Sequence, residues 1–269
     1  MLLSRGCPRA DACLSACRSW RCSAACPPSS RCSAALARRT RSSTAGSKPW
    51  EPDADSPQSA EDVRELYDKW ADTYEETLSA WGWDGPARVA EAYTRHGGLT
   101  DAILDVGCGT GLSALELRTV GCVGDIVGLD ISEQSLSIAR AKTYSTGDSG
   151  DSSSRGVFSR TVCADITDGT AVPLATGSFD GLTCVGSIFY MTHAYDATFS
   201  EWRRLLRPGG VCVLSQTVEW QTDEFFAALT RHGLTIEEQS APSDLHPHNE
   251  TYQSRPEQQV SYFVCRTDG

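Results

Sequence analysis

The chain of 269 residues is 40% apolar and 8% aromatic, enough to bury a core, which excludes a disordered or fibrous protein. No run approaches the roughly 18 consecutive apolar residues that a membrane-spanning helix needs, so no membrane partner is expected. The net charge of −11 is unevenly divided: residues 1–50 carry Arg5, Arg9, Arg18, Arg21, Arg31, Arg38, Arg39, Arg41 and Lys48 against the single acid Asp11, a net of +8, which leaves −19 on the other 219 residues. Six of the twelve cysteines (Cys7, Cys13, Cys17, Cys22, Cys26, Cys32) share that basic segment. The organisation read from this is a basic tail and linker over residues 1–58, expected to be disordered, and an acidic globular domain over residues 59–269.

The tail is rich in Arg, Ser and Ala and leads into a Pro/Ser/Asp stretch, the composition expected of an organelle transit peptide. It predicts a mitochondrial or other organellar location; if the tail is instead a mistaken first exon, the body is expected in the cytoplasm. Apart from Met1 the chain has only Met191, so no internal start precedes the body. The tail cysteines contain no C-x2-C pair and no partner His, so no metal is expected there.

In the body, Val63, Leu66, Tyr67, Trp70, Tyr74 and Leu78 recur at helical spacing, with Ser59 and Asp62 placed for an N-cap. A second helix is predicted from about Pro86 to His96, with Pro in its first turn and Gly97-Gly98 as its stop. Strands are then predicted over 102–106, 125–130, 157–164, 179–188 and 210–216, alternating with helices over 112–119, 132–142 and 196–206. The last helix ends before a Pro208-Gly209-Gly210 turn. A helix over 223–230 and strands over 234–239 and 260–266 follow. Repeated strand–helix units imply a mostly parallel sheet with helices on both faces, closed by an antiparallel C-terminal hairpin. Residues 145–155 read as a mobile loop.

The chemistry begins at Ile-Leu-Asp-Val-Gly-Cys-Gly-Thr-Gly, residues 103–111. Gly107, Gly109 and Gly111 fall between a strand and a helix, where the backbone can approach a ligand closely. A dinucleotide fingerprint would need glycine at the position of Leu112, and the G-K-[ST] of a P-loop is missing. Asp105, two residues before the first glycine, would repel a pyrophosphate but can accept a hydrogen bond from an ammonium group. Asp130 ends the second strand about 20 residues after the loop, the position from which a carboxylate takes ribose hydroxyls. Asp165 ends the third, placed to accept from an adenine amine. Ribose, adenine and an α-amino acid together describe S-adenosylmethionine.

With these residues followed by Phe179-Asp180 and Leu206-Arg-Pro-Gly-Gly210, the chain resembles the class I S-adenosylmethionine-dependent methyltransferases over nearly all of residues 60–266. Tyr67-Asp-Lys-Trp-Ala-Asp-Thr-Tyr74 makes it similar, within that class, to the Williams-Beuren syndrome region methyltransferase-like family. The resemblance implies an α/β, Rossmann-like, seven-stranded sheet. It implies that Gly107, Cys108 and Gly109 line the methionine part with Asp105 in support. Asp130 would hold the ribose, Ile131 and Ile166 would flank the adenine, Asp165 would meet its amine, and Val185 would complete the cofactor contacts. Tyr67, Trp70 and Tyr74 would belong to the helix that covers the cofactor.

Methyl transfer from a sulfonium is an in-line displacement, for which the protein must mainly hold two reactants at attack distance and exclude water. A general base is needed only where the acceptor must lose a proton early. His193 is the candidate base, since an imidazole is the side chain that ordinarily suits that task near neutral pH, with Tyr190 and Trp220 as aromatic walls. The amino-group signature D/N-P-P-Y of nucleic-acid methyltransferases is missing around Ser187, and a body at −19 repels a polyphosphate. No nucleic-acid partner is therefore expected; a small-molecule acceptor is favoured, with a protein side chain second. The competing readings are a non-catalytic S-adenosylmethionine-binding regulatory or assembly protein and, against Leu112 and Asp105, a nicotinamide dehydrogenase.

Overall fold

The computed structural model describes residues 59–145, 154–250 and 258–269. The tail and linker expected over 1–58 lie outside these residues, as does 146–153 in the middle of the expected loop.

Helix α1 (Ala60–Trp70) begins at Ser59, whose hydroxyl accepts from the Asp62 amide at 3.2 Å. The continuous helical periodicity conceals a break: a 3-10 turn over Ala71–Thr73 separates α1 from α2 (Tyr74–Trp81), which ends on Gly82 in the left-handed region. Next come α3 (Gly85–His96), β1 (Ile103–Val106), α4 (Leu112–Thr119), β2 (Ile126–Asp130) and α5 (Glu133–Ala141). The expected 145–155 loop is flanked by a short hairpin, β3 (Thr143–Ser145) with β4 (Ser154–Gly156), so its ends are paired strand. β5 (Arg160–Cys163) is shorter than expected because Val157, fully buried, packs into the core ahead of the strand. The chain closes with β6 (Phe179–Cys184), α6 (Tyr195–Leu205), β7 (Leu206–Thr217), α7 (Asp223–Arg231), β8 (Leu234–Gln239), β9 (Ser243–Asp244) and β10 (Gln259–Thr267).

The main sheet runs β5-β2-β1-β6-β7-β10-β8, with the two-residue β9 as an added pairing on β10. The pairs from β5 to β7 are parallel, and β10 is antiparallel to both β7 and β8. The expected Pro208-Gly209-Gly210 turn is a correction: these residues fall within β7, where pairing with β6 jumps from Leu206 to Val211. A bulge there absorbs a proline that cannot donate to the ladder.

β1 and β2 are buried along their whole length because helices cover both faces. One core holds the aromatic group Tyr195, Phe199, Trp202, Phe225 and Phe263 between α6, α7 and the sheet. The other holds Val89, Tyr93, Leu117 and Ile126 beneath α3 and α4. Of the six cysteines among the described residues, Cys163 alone is exposed, and all six are free thiols.

The last two structural acids act on the frame. Asp180 accepts from the Ala102 amide at 2.9 Å and pairs with Arg207, while Arg204 pairs with Glu201 at 2.6 Å. Arg204 and Arg207 are thus committed to structure. Gly181 sits directly under the Tyr93 ring, and a Cβ there would run into the phenol. Gly181→Ala is expected to lower stability by about 1–3 kcal/mol through overpacking, which urea unfolding would show as an earlier midpoint with an unchanged slope.

Candidate active site

The carboxyl ends of β1, β2, β5 and β6 open into one cleft. A parallel sheet places its ligands there because the strand ends and following loops converge outside the hydrogen-bonded ladder. The floor is the loop after β1. Gly107, Gly109 and Gly111 take φ of 64°, 52° and 91°, a region that an L side chain rarely occupies. Gly107 could carry no side chain because Ser187 fills the space beside it, and its carbonyl accepts from the Ser187 hydroxyl at 3.1 Å. Gly109 faces nothing within 4 Å, so its backbone forms an open cradle that a Cβ would fill.

Asp130 fixes this loop. Its Oδ2 accepts from the Gly109 amide and its Oδ1 from the Ser132 amide, each at 2.8 Å. Burial raises its pKa, an effect that the amide donors oppose and the nearby Asp68 reinforces. Asp165 anchors the loop after β5 through Oδ1, which takes both the amide and the hydroxyl of Thr167 at 2.7 and 2.6 Å.

Asp105 lies beneath the floor, 1% exposed. Its Oδ1 accepts from the Thr183 hydroxyl at 2.8 Å, whereas Oδ2 is buried with no partner among the described residues. Burial pushes its pKa up to about 7, against the Thr183 hydrogen bond and with help from Asp130. A carboxylate oxygen left unpaired under a glycine cradle is suited to a cationic donor arriving from above.

The opposite wall comes from α1 and α2, with Ala60, Val63, Tyr67 and Tyr74, and from the segment after β6, with Gly186, Ser187, Tyr190, Met191 and His193. Tyr67 meets Tyr74 at 5.9 Å and Tyr190 at 5.7 Å between ring centroids. Burial raises the pKa of all three phenols, so they remain neutral donors at physiological pH.

The cleft therefore gathers Tyr67, Tyr74, Gly107, Gly109, Asp130, Ile131, Asp165, Ile166 and His193 from the sequence expectation. Four others stand behind it. Trp70 packs between Tyr74 and Trp81, with centroids at 4.8 and 6.1 Å. Asp105, Cys108 and Val185 are buried outside the lining, and the Cys108 thiol lies close against Gly128. Trp220, expected as an aromatic wall, is exposed and does not reach the cleft, because the chain turns into a short 3-10 helix after β7. His193 lies at the rim, exposed. Among the lining residues that sequence reasoning missed, Leu129, Ala164 and Thr167 flank Asp130 and Asp165, while Ala60, Met191 and Gly186 follow no motif and were hinted at only by proximity in sequence to Tyr67 and Ser187.

The strand order and this cleft define the Rossmann-like methyltransferase fold. Residues 104–214 match the family model described as a methyltransferase domain. An O-methyltransferase of Penicillium expansum is 27% identical over 173 residues, 58% of either chain. The demethylmenaquinone methyltransferase of Lactococcus lactis is 35% identical over 130 residues, 48% of this chain and 47% of the relative. The chain thus spans about half the length of the curated relatives it matches. Among solved structures, the Haloferax volcanii complex of the Trm112 methyltransferase activator with a methyltransferase aligns at a TM-score of 0.58 and 20% identity, covering 77% of this chain and 98% of that one.

The raised Asp105 pKa has a consequence for stability. The native protein holds a proton that the unfolded chain has already lost, so this contribution is present at low pH and is lost as pH rises through about 7. Between pH 5 and pH 8, Asp105→Asn is expected to gain on the parent by on the order of 2–3 kcal/mol in ligand-free urea unfolding. A constant difference across that range would show that Asp105 is ionised throughout.

Proposed function

We propose that the protein is an S-adenosylmethionine-dependent methyltransferase with a small-molecule acceptor. One observation carries this: Asp130 and Asp165 meet in a single cleft with the Gly107 and Gly109 backbone, and beneath them Asp105 keeps an unpaired oxygen for a cation. When bound, S-adenosylmethionine supplies an electrophilic methyl group on a sulfonium. Gly109 leaves room for its amino-acid portion along the Gly107–Gly109 backbone, and Asp105 offers that end a negative potential through the floor. Asp130 retains lone pairs beyond those used by Gly109 and Ser132, enough to accept from ribose hydroxyls. Ile131 and Ile166 give the adenine two apolar faces, and Asp165 an acceptor for its amine. The buried phenols of Tyr67, Tyr74 and Tyr190 close the wall against water.

The acceptor would enter between α1 and the segment from Gly186 to His193. The curated relatives, one of them named for a demethylmenaquinone, favour a small organic acceptor over a polymer. His193 would take a proton at the rim, a role that fits an acceptor acidic enough to need no buried base. The affiliation with the Williams-Beuren syndrome region methyltransferase-like family rests on the Tyr67–Tyr74 stretch, and an organellar location on the composition of the tail.

Calorimetric titration is expected to show binding of S-adenosylmethionine and S-adenosylhomocysteine. Asp130→Ala should weaken it by about 10- to 100-fold, the loss of hydrogen bonds to a charged group. Labelled methyl should pass into the low-mass fraction of a metabolite extract. Binding without transfer would make the protein a sensor, and binding of NAD in its place would overturn the proposal.

A further inference from the structure

Beside the ring contacts of Tyr67 with Tyr190 and of Trp81 with His246, two side-chain contacts tie the cleft cover, α1 with α2, to the body on either side of its break, and one of them reaches the candidate ribose carboxylate. Asp68, on the body-facing side of α1, accepts from the Ser132 hydroxyl at 2.7 Å through Oδ1. Its Oδ2 accepts from Arg64 at 2.8 Å. Ser132 is fully buried, and its hydroxyl also accepts from the Ser135 amide at 3.0 Å as the N-cap of α5. The only hydrogen on that hydroxyl is therefore given to Asp68. The Ser132 amide in turn donates to Asp130, whose other oxygen takes Gly109. An unbroken polar chain thus runs from the cover through Arg64, Asp68, Ser132 and Asp130 to the glycine cradle. The second point is Glu75 on α2, paired with Lys142 at 2.7 Å. The two attachments flank the 3-10 break at Ala71–Thr73.

We propose that Asp68 is a positioning residue that seats the α1–α2 cover according to whether Asp130 is engaged by a ligand. The proposal rests on the reading of Asp130 as the ribose acceptor. Ala60, Val63, Tyr67 and Tyr74 form one wall of the cleft, so the seating of the cover sets how fast a bound ligand leaves. Asp68 and Asp130 lie on either side of one serine, and like charges at that range oppose each other. A ligand that donates hydrogen bonds to Asp130 spreads its charge and so relieves that repulsion. Occupancy and closure thereby favour each other, as reciprocal coupling requires.

The test uses the full chain with S-adenosylhomocysteine as the probe, read by stopped-flow displacement and by amide hydrogen exchange over residues 60–70. In the parent, the probe is expected to slow exchange in this segment. Asp68→Leu, which loses the acceptor, should release the probe about tenfold faster and lose the ligand-dependent protection of α1. Asp68→Asn, which keeps an amide oxygen for Ser132, should stay within about threefold of the parent. Ser132→Gly provides a second arm, because glycine is tolerated at an N-cap at a cost of a few tenths of a kcal/mol while the hydroxyl is removed. It should release the probe as fast as Asp68→Leu does. Parental release and protection in Ser132→Gly would overturn the proposal, as would equal losses in the Leu and Asn variants. A parent that binds neither S-adenosylmethionine nor S-adenosylhomocysteine would overturn the cofactor reading as well; normal binding with unaltered release in the variants overturns this coupling alone.

Discussion

The bifurcated grip of Asp130 on two backbone amides is the constraint on which the site depends. The carboxylate stands at the end of β2, and the amides belong to the loop after β1 and to the first residue after β2's own turn. One side chain thus ties three segments together. The left-handed backbone at Gly107 and Gly109 is stable because Asp130 holds Gly109 from one side while Ser187 packs against Gly107 from the other. Burial of the acid sharpens the grip, since a hydrogen bond to a charge is worth more where water is excluded.

The two halves of the cleft are built by different means. The half proposed for the cofactor comes from strand ends, whose positions are set by parallel pairing and cannot drift without unpairing the sheet centre. The half proposed for the acceptor comes from helix α1 and from the 3-10 turns between Ile188 and Ala194, which no ladder constrains. Side chains there can change without disturbing the fold. Site precision is greatest where the chemistry is shared and least where acceptor identity would be decided.

That division also explains what was legible in the sequence. Asp130 and Asp165 could be placed because each ends an apolar run, and a strand end in a parallel sheet has one spatial meaning; Asp105 could be placed because it stands two residues before the glycine loop. The break at Ala71–Thr73 was hidden, because the 3-10 turn preserves enough of the helical periodicity that Trp70 and Tyr74 still face the same side. The bulge at Pro208 was read as a turn because proline and paired glycines usually interrupt a strand, and only the register with β6 shows that they do not. Trp220 was misplaced for a simpler reason: proximity in sequence to a strand end does not fix the direction in which a chain leaves it. Ser132 opens a helix that the sequence predicts, but its bond to Asp68, 64 residues away, left no local trace.

The position of β10 has a consequence for how the molecule is made. β7 is buried from Gly210 to Thr217, yet one of its edges is satisfied only by β10, which begins at Gln259. β8 is likewise paired only through that strand. A nascent chain emerging from the ribosome can assemble the parallel half first, but it must carry an open apolar edge until β10 has followed. Sheet closure thus waits on β10, and during that interval the exposed β7 edge is a target for chaperones or for pairing with another chain.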